Sequence, residues 1–550
     1  MAWHVTMPTE SYERARETFE WEIPSDYNAA HDLVGKHADP DRPALYQAYP
    51  DGRRETYTFA DLDRRSNRLA NALADRGVGR GDRVGVVLPQ VPANPITHLA
   101  CWKLGAVSMP LSVLFGTDGL GYRLDDSGAT AVVVDADTYD TVSAIRGECP
   151  DLEHVLEVDW NGRGGHDDST AFAEAIETAD PSFDPVETNP ETPGIIMYTS
   201  GSTGKPKGVL HSQSVWLGHC PAFRMYFELD VSESVCWTPA DWAWIGALGD
   251  LVFPAWHYGR PIVGYPMAGF DPETAFGLLE EFDVTSAFVP PTAIRMMMNT
   301  DAGEYDLALE AICSGGEPLT SEILEWADEE LDGVPINEIY GQTEANLLVC
   351  NCREWFPAVA GSMGKPVPGH DVAVVDPDTA EKRPTGEVGE IAVKRGDDPV
   401  VFEEYWNQPE RTADVTVGSW HLTGDLGYVD DDGRFWFKAR DDDLIITSGY
   451  RVGPGEVEDA ILEHPDIEQV GVIGVSDDTR GEIIKAFCQP VAGVDGDGDL
   501  RESIRSLVKE TLAKHEYPRE IEFVDALPTT TTGKIRRTDL READAEEQSG

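Results

Sequence analysis

Tyr198-Thr-Ser-Gly-Ser-Thr-Gly-Lys-Pro-Lys-Gly208 follows directly on the apolar run 194–198, and this junction decides how the chain is read. Gly201, Gly204 and Gly208 let the backbone come close to an anion, and the hydroxyls of Thr199, Ser200, Ser202 and Thr203 add donors. Lys205 and Lys207 supply positive charge. A phosphate-gripping loop at the end of a buried strand is the direct inference. It differs from the G-x-x-x-x-G-K-[ST] loop of P-loop NTPases, because Pro206 stands after Lys205 where a Ser or Thr would meet magnesium.

Outward from this loop, apolar runs alternate with amphipathic stretches. Residues 61–76 read as a helix with Leu62, Leu69, Leu73 and Ala74 on one side. Residues 83–88 and 131–134 read as short buried strands, and 98–105 begins another helix. Such alternation points to an α/β fold with mainly parallel sheets. The Pro-, Asp-, Glu- and Thr-rich stretch 182–193 suits an exposed connector before the central loop.

Towards the C-terminus the pattern changes. Lys438-Ala-Arg-Asp-Asp-Asp443 is a charged break between the apolar runs 435–437 and 444–447. Beyond it the sequence predicts helix 456–463, strands 469–475 and 484–491, helix 499–513 and strand 521–524. We therefore expect a large α/β domain over 1–441 and a small α+β domain over 442–550. A chain of 550 residues is in any case too long for one ordinary core.

The composition excludes several classes. Asp and Glu number 100 against 43 Lys and Arg, a net charge of −57 that phosphate-rich partners would repel. Nucleic acid and anionic membranes are thus unpromising partners. No run approaches the roughly 20 apolar residues of a membrane span, and residues 1–10 lack a basic start followed by an apolar stretch. A cytoplasmic protein is expected. Only 12 of the 43 basic residues are Lys, and acidity on this scale fits the molar salt of a halophile, which screens self-repulsion. The 8 cysteines have no framework spacing, and Cys350 and Cys352 lack a second pair at zinc spacing.

Further motifs follow the central loop in a fixed order: Ser314-Gly-Gly-Glu-Pro318, Tyr340-Gly-Gln-Thr-Glu344, Thr423-Gly-Asp425, Lys438-Ala-Arg440, Ser448-Gly-Tyr-Arg451 and Thr532-Gly-Lys-Ile535. Together they resemble the adenylate-forming superfamily of acyl-CoA synthetases, peptide-synthetase adenylation domains and luciferases, over essentially the whole chain. The resemblance is strongest to medium-chain AMP-forming acyl-CoA synthetases.

That resemblance implies a division of labour. ATP would be held by Thr199, Ser200, Gly201, Ser202, Thr203, Gly204, Lys205 and Lys207. The adenine would meet Gly316, Glu317 and Pro318, with Tyr340 and Gln342 beside it. Thr343 would bond the α-phosphate and Glu344 would carry Mg2+, a hard cation that wants oxygen ligands. Asp425 offers two oxygens to the ribose hydroxyls, Arg440 would reach the ribose and Arg451 the phosphate. Lys534, a flexible ammonium, would bridge the two oxyanions that must meet during adenylation. Asp442 matches the hinge residue about which the small domain turns, and Ser448, Gly449 and Tyr450 would line the route of the CoA thiol.

Activation of a carboxylic acid by ATP, then transfer to CoA, is the expected reaction. A related adenylase that loads a carrier protein is the same-fold alternative, and an acetate- or propionate-CoA ligase another. Because the sequence ends at Gly550 without a carrier domain, free CoA is the expected acceptor. A regulatory protein that kept the scaffold and lost the chemistry is disfavoured by Glu344, Lys534 and the intact loop. In acetyl-specific relatives a Trp fills the position of Gly341, so an acid longer than acetate is expected here. The aromatic segment around Trp237, Asp241 and Trp242 is expected near the acyl pocket. A homo-oligomer is compatible with all of this.

Overall fold

A computed structural model describes residues 3–199, 205–440, 443–447, 450–477, 481–491, 493–512, 517–529 and 535–549. The chain divides into two compact units. One comprises Met1–Gly201, Lys205–Val372 and Val393–His421; the other is built from Ala373–Ala392 and Leu422–Gly550.

The first unit contains two sheets. In one, strands Ser362–Pro366, Ala345–Cys350, Ile336–Gln342, Ala311–Gly315, Ser286–Phe288, Cys236–Trp237, Ile262–Gly264, Pro43–Ala48 and Arg54–Thr58 lie in that order. The run from Ile336–Gln342 to Pro43–Ala48 is parallel throughout. The other sheet orders Glu404–Tyr405, Lys207–Ser212, Pro193–Thr199, Val107–Pro110, Arg83–Val87, Ala129–Asp135, His154–Val158 and Thr170–Ala171.

The strands read as continuous apolar runs because both faces are covered. Val84, Val86, Ala131 and Val133 enter one core, while Val87, Val132 and Val134 enter another on the opposite face. The same period-two division separates Cys236 and Cys313 from Trp237 and Ile312. Helix Phe59–Ala74 starts on a reciprocal cap between Thr58 and Asp61. Helix Ala93–Leu104 begins five residues before the expected start, because Pro95 sits in its first turn, where a missing N–H costs no helical bond. All of its residues are buried.

The second unit contains neighbouring strands Trp420–Val429 and Phe435–Arg440. Lys438 and Arg440 thus belong to a strand, and the expected charged break starts later. Further on, Tyr450–Val452, Ile445–Thr447, Gly481–Pro490 and Ile467–Asp477 form a sheet with Glu520–Phe523 beside Gly481–Pro490. Ile467–Asp477 extends two residues past each end of the expected 469–475, and Gly481–Pro490 starts three residues before the expected 484. Ile484, Ala486 and Cys488 face helices Pro454–Leu462 and Gly498–Thr511, while Ile483 and Phe487 join Leu527 and Leu540 on the other side. The fold is mixed α/β. Among the described residues no helix is long and apolar enough to cross a membrane.

Candidate active site

Strands Pro193–Thr199 and Lys207–Ser212 are antiparallel, with Thr199 opposite Lys207. They form the two sides of the mouth from which the phosphate loop springs. Ser200, Gly201, Ser202, Thr203 and Gly204 lie outside the described residues. On the descending side, Tyr122 donates its hydroxyl to Pro206 O at 3.0 Å, and Lys205 Nζ stands 5.0 Å from the Tyr122 ring centre.

The Tyr340–Glu344 motif is the turn between strands Ile336–Gln342 and Ala345–Cys350. Two residues hold its backbone and a third holds the Gln342 side chain. His211 Nε2 donates to Thr343 O at 2.6 Å, and Asn346 Nδ2 donates to Thr343 O at 2.9 Å and to Gln342 O at 3.2 Å. His421 Nε2 donates to Gln342 Oε1 at 3.1 Å. Burial holds the His211 imidazole down to about 4 and His421 to about 3, so both are neutral donors near pH 7. Thr343 is partly accessible while Glu344 is buried.

Glu344 is reached from a second strand. Tyr405 Oη donates to Glu344 Oε1 at 2.8 Å, and Phe402 N donates to Glu344 O at 2.8 Å. Tyr405 is fixed because it pairs with Val209. Lys207 Nζ lies 4.7 Å from the Tyr405 ring centre. An anchored carboxylate and a lysine are thus presented from one aromatic side chain. A single buried carboxylate suits Mg2+, which takes one or two carboxylates and completes its shell with substrate phosphates and water.

Gly316 has a φ of +95°, a conformation that favours glycine, and it opens the turn after strand Ala311–Gly315. Glu317 is engaged by Arg295 at 2.6 Å and by the Thr292 hydroxyl at 3.1 Å. Pro318 is exposed. Glu317 therefore shapes this turn through its side chain.

In the second unit Asp425 and Arg440 are direct cross-strand partners, a pairing of opposite charges that favours the register. Thr423 Oγ1 donates to Ile391 O at 2.7 Å and accepts from Asp425 N at 3.1 Å, and Gly424 N donates to Glu390 Oε1 at 2.7 Å. Asp425 is buried and Arg440 exposed. Arg451 and Tyr450 lie on strand Tyr450–Val452, opposite Ile446 and Thr447. Their side chains, and Asp442, Ser448, Gly449 and Lys534 altogether, lie outside the described residues. The flanks of the lysine loop are defined: Thr529 and Ile535 form an antiparallel bridge, and Ile535 packs beside Leu527 and Leu540.

The residues expected near the acyl pocket are tightly packed in this structure. A Cβ on Gly341 would stand 2.3 Å from Leu347 N and 3.0 Å from Asn346 C, both backbone atoms. Glycine is demanded by the close return of the hairpin, where Leu347 itself has a φ of 47°. Trp237 and Trp242 are fully buried, in cores on opposite faces of the sheet. Asp241 caps the local turn, accepting from Ser112 Oγ at 2.7 Å and Ala243 N at 3.0 Å.

Tyr405, Phe402, His211 and Asn346 are absent from the sequence reading. Asn346 follows the recognised motif by two residues and could have been found from it. Tyr405 lies 61 residues from Glu344, and no local pattern links them.

Residues 35–406 match the family model of the AMP-binding enzyme, and residues 456–534 that of the AMP-binding enzyme C-terminal domain. The chain belongs to this family of AMP-binding enzymes. It is 35% identical over 538 residues to the mitochondrial acyl-coenzyme A synthetase ACSM4 of Rattus norvegicus, covering 94% of this chain and 91% of that one. It is 37% identical over 530 residues to acetyl-coenzyme A synthetase of Bacillus subtilis, covering 94% and 90%. Among solved structures, the anthranilate CoA ligase AuaEII in complex with anthranoyl-AMP is similar at a TM-score of 0.86 and 28% identity, over 96% of this chain and 99% of that one.

Proposed function

We propose that this protein ligates a carboxylic acid to coenzyme A in two steps. The acid and ATP give an acyl-adenylate and pyrophosphate; the CoA thiol then displaces AMP to give the acyl-CoA. The observation that carries this reading is the convergence of Lys207 and Glu344 on Tyr405, beside the mouth of the phosphate loop. A cation and a metal-binding carboxylate are what two approaching anions require. The full-length likeness to acyl-CoA synthetases supports the same chemistry.

Within this reading Thr343 contacts the α-phosphate, Glu344 holds Mg2+, and the Gly316–Pro318 backbone covers the adenine. Asp425 takes the ribose hydroxyls, Arg440 the ribose, Arg451 the phosphate, and Lys534 both oxyanions. Asp442 is the hinge between 1–441 and 442–550. Asp443 supports this, since its carboxylate is clamped by Arg541 at 2.7 Å and Arg537 at 3.4 Å, both on the C-terminal helix. Asp443 must travel with that helix, whereas Arg440 is paired with Asp425. Ser448, Gly449 and Tyr450 guide pantetheine after the turn.

The substrate is a short- or medium-chain fatty, branched or small aryl acid. An acetate- or propionate-CoA ligase is a second reading, favoured by the likeness to acetyl-coenzyme A synthetase. The net charge of −57 fits the cytoplasm of a cell that accumulates molar salt. The test is a panel of C2 to C10 and aryl acids, read as ATP- and CoA-dependent AMP release at low and molar KCl. Acid-dependent AMP release that rises with KCl is expected; AMP release without an acid, or none at any salt, would contradict the proposal.

A further inference from the structure

Asp250 sits in a single π-turn, Leu248–Val252, a backbone irregularity that is frequent at functional sites. It is 7% exposed, and among the described residues its carboxyl has no hydrogen-bond partner and no ion pair. The nearby Tyr226 hydroxyl donates to the backbone oxygen of Asp250 at 2.6 Å, leaving the side chain alone. Burial pushes this carboxyl well above the usual range. A buried polar group without a partner costs stability, and such a group in a native fold calls for an explanation.

Its position supplies one. A Cβ on Gly246 would lie 3.4 Å from Asp250 Oδ2 and 3.2 Å from the Phe288 ring. The bare backbone of Gly246, the carboxyl and the ring therefore meet at one spot. Phe288 ends its strand, and the next two strands of the same parallel run lead to Gly316 and to Thr343. At about 4.8 Å per strand, this spot lies roughly 10 Å across the sheet from the Thr343 strand. That is the reach of a short chain or one aryl ring whose carboxylate meets the α-phosphate bound at Thr343. Ligands of open parallel sheets bind at these strand ends.

We propose that Asp250 is a specificity-determining residue in the wall of the acyl pocket, where its carboxyl group hydrogen-bonds a hydroxyl or amino substituent on the acid. This rests on the acid–CoA ligase reading above. A carboxyl group among Phe288 and other apolar walls disfavours a plain hydrocarbon tail, which leaves it unpaired. An acid with a hydroxyl or amine at the right distance satisfies it, and a site built to bond such a group rejects the analogue that lacks it.

The test compares matched acids: hexanoate with its hydroxy derivatives, and benzoate with hydroxybenzoates and aminobenzoates, read as acid-dependent AMP release by the full chain in molar KCl. The wild type should favour the best substituted acid over its parent by about tenfold or more in kcat/KM, mainly through KM. Asp250→Leu should abolish that preference and Asp250→Asn should keep most of it. A wild type that prefers the plain parents throughout overturns the proposal without any variant, as does an active Asp250→Leu enzyme with unchanged preference. AMP release with none of the acids overturns the ligase reading itself.

Discussion

Tyr405 donates its hydroxyl to Glu344 at 2.8 Å, from a strand 61 residues further along the chain. The bond fixes one oxygen of the carboxylate assigned to Mg2+, and the same ring carries Lys207 on its face. Removing the hydroxyl frees Glu344 to rotate without removing its charge. Tyr405→Phe should slow adenylation about 10- to 100-fold and raise the Mg2+ concentration needed for half-maximal rate. Glu344→Gln should cost about 10²–10³. Pyrophosphate release against Mg2+ concentration measures both; an unchanged Mg2+ requirement in Tyr405→Phe would separate the tyrosine from the metal site.

Gly341→Ala and Gly341→Trp should both destabilise the hairpin, because the first added carbon already meets backbone at 2.3 Å. Overpacking of this kind costs about 1–3 kcal/mol. Thermal unfolding should move down by several degrees and adenylation should fall for every acid alike. A Gly341→Trp enzyme of normal stability that turns towards acetate would place the glycine in the pocket wall.

Two opposing pH dependences should overlap, with stability lost as pH rises from 4.5 to about 8 in one and as pH falls below 6.5 in the other. Burial pushes Glu338 up to about 8 from 4.5. Between those values the unfolded chain has released a proton that the folded chain keeps, so stability declines as pH rises. Glu338→Gln should flatten this decline and raise the unfolding temperature at pH 8, since its amide oxygen can still accept from Leu319 N. Buried His98, His211, His219 and His421 are held down to about 3 or 4 from 6.5. Below pH 6.5 the unfolded chain takes up protons that the fold refuses, so stability is lost as pH falls. Unfolding temperatures from pH 4 to 9 check both arms; a Glu338→Gln profile parallel to the wild type would refute the alkaline one.

Asp442→Pro should spare adenylation and block thioester formation. Proline fixes φ near about −65°, and Asp443 just beyond it is tied to the C-terminal helix by Arg537 and Arg541. A rotation of the small domain has to be absorbed in very few residues there. Pyrophosphate release in one burst should persist while acyl-CoA formation from preformed acyl-AMP fails. Normal acyl-CoA formation would put the pivot elsewhere.

The parallel sheets were legible because their strands are short apolar runs with both faces covered, and the order of the motifs made the family recognisable. Strand and helix ends were less so. Pro92 and Pro95 hid the first turn of helix Ala93–Leu104, and Lys438 and Arg440 look like a loop although they complete a strand. At the site, residues within a motif were readable and their supports were not. His211 and Tyr405 act through contacts across 132 and 61 residues, which leave no local trace. For Trp242 the sequence left core packing and a ligand contact open, because an indole in a core and one beside a ligand look alike in sequence.

We propose that one cation, Lys534, serves the meeting of two anions and is dispensable afterwards. The decisive measurement follows the two half-reactions separately in Lys534→Ala: pyrophosphate release from ATP and acid, and acyl-CoA formation from preformed acyl-AMP and CoA. Adenylation should fall by about 10²–10³ or more, while transfer from preformed acyl-AMP stays within a few-fold of the wild type. Equal loss in both half-reactions, or full adenylation without the lysine, would contradict the account.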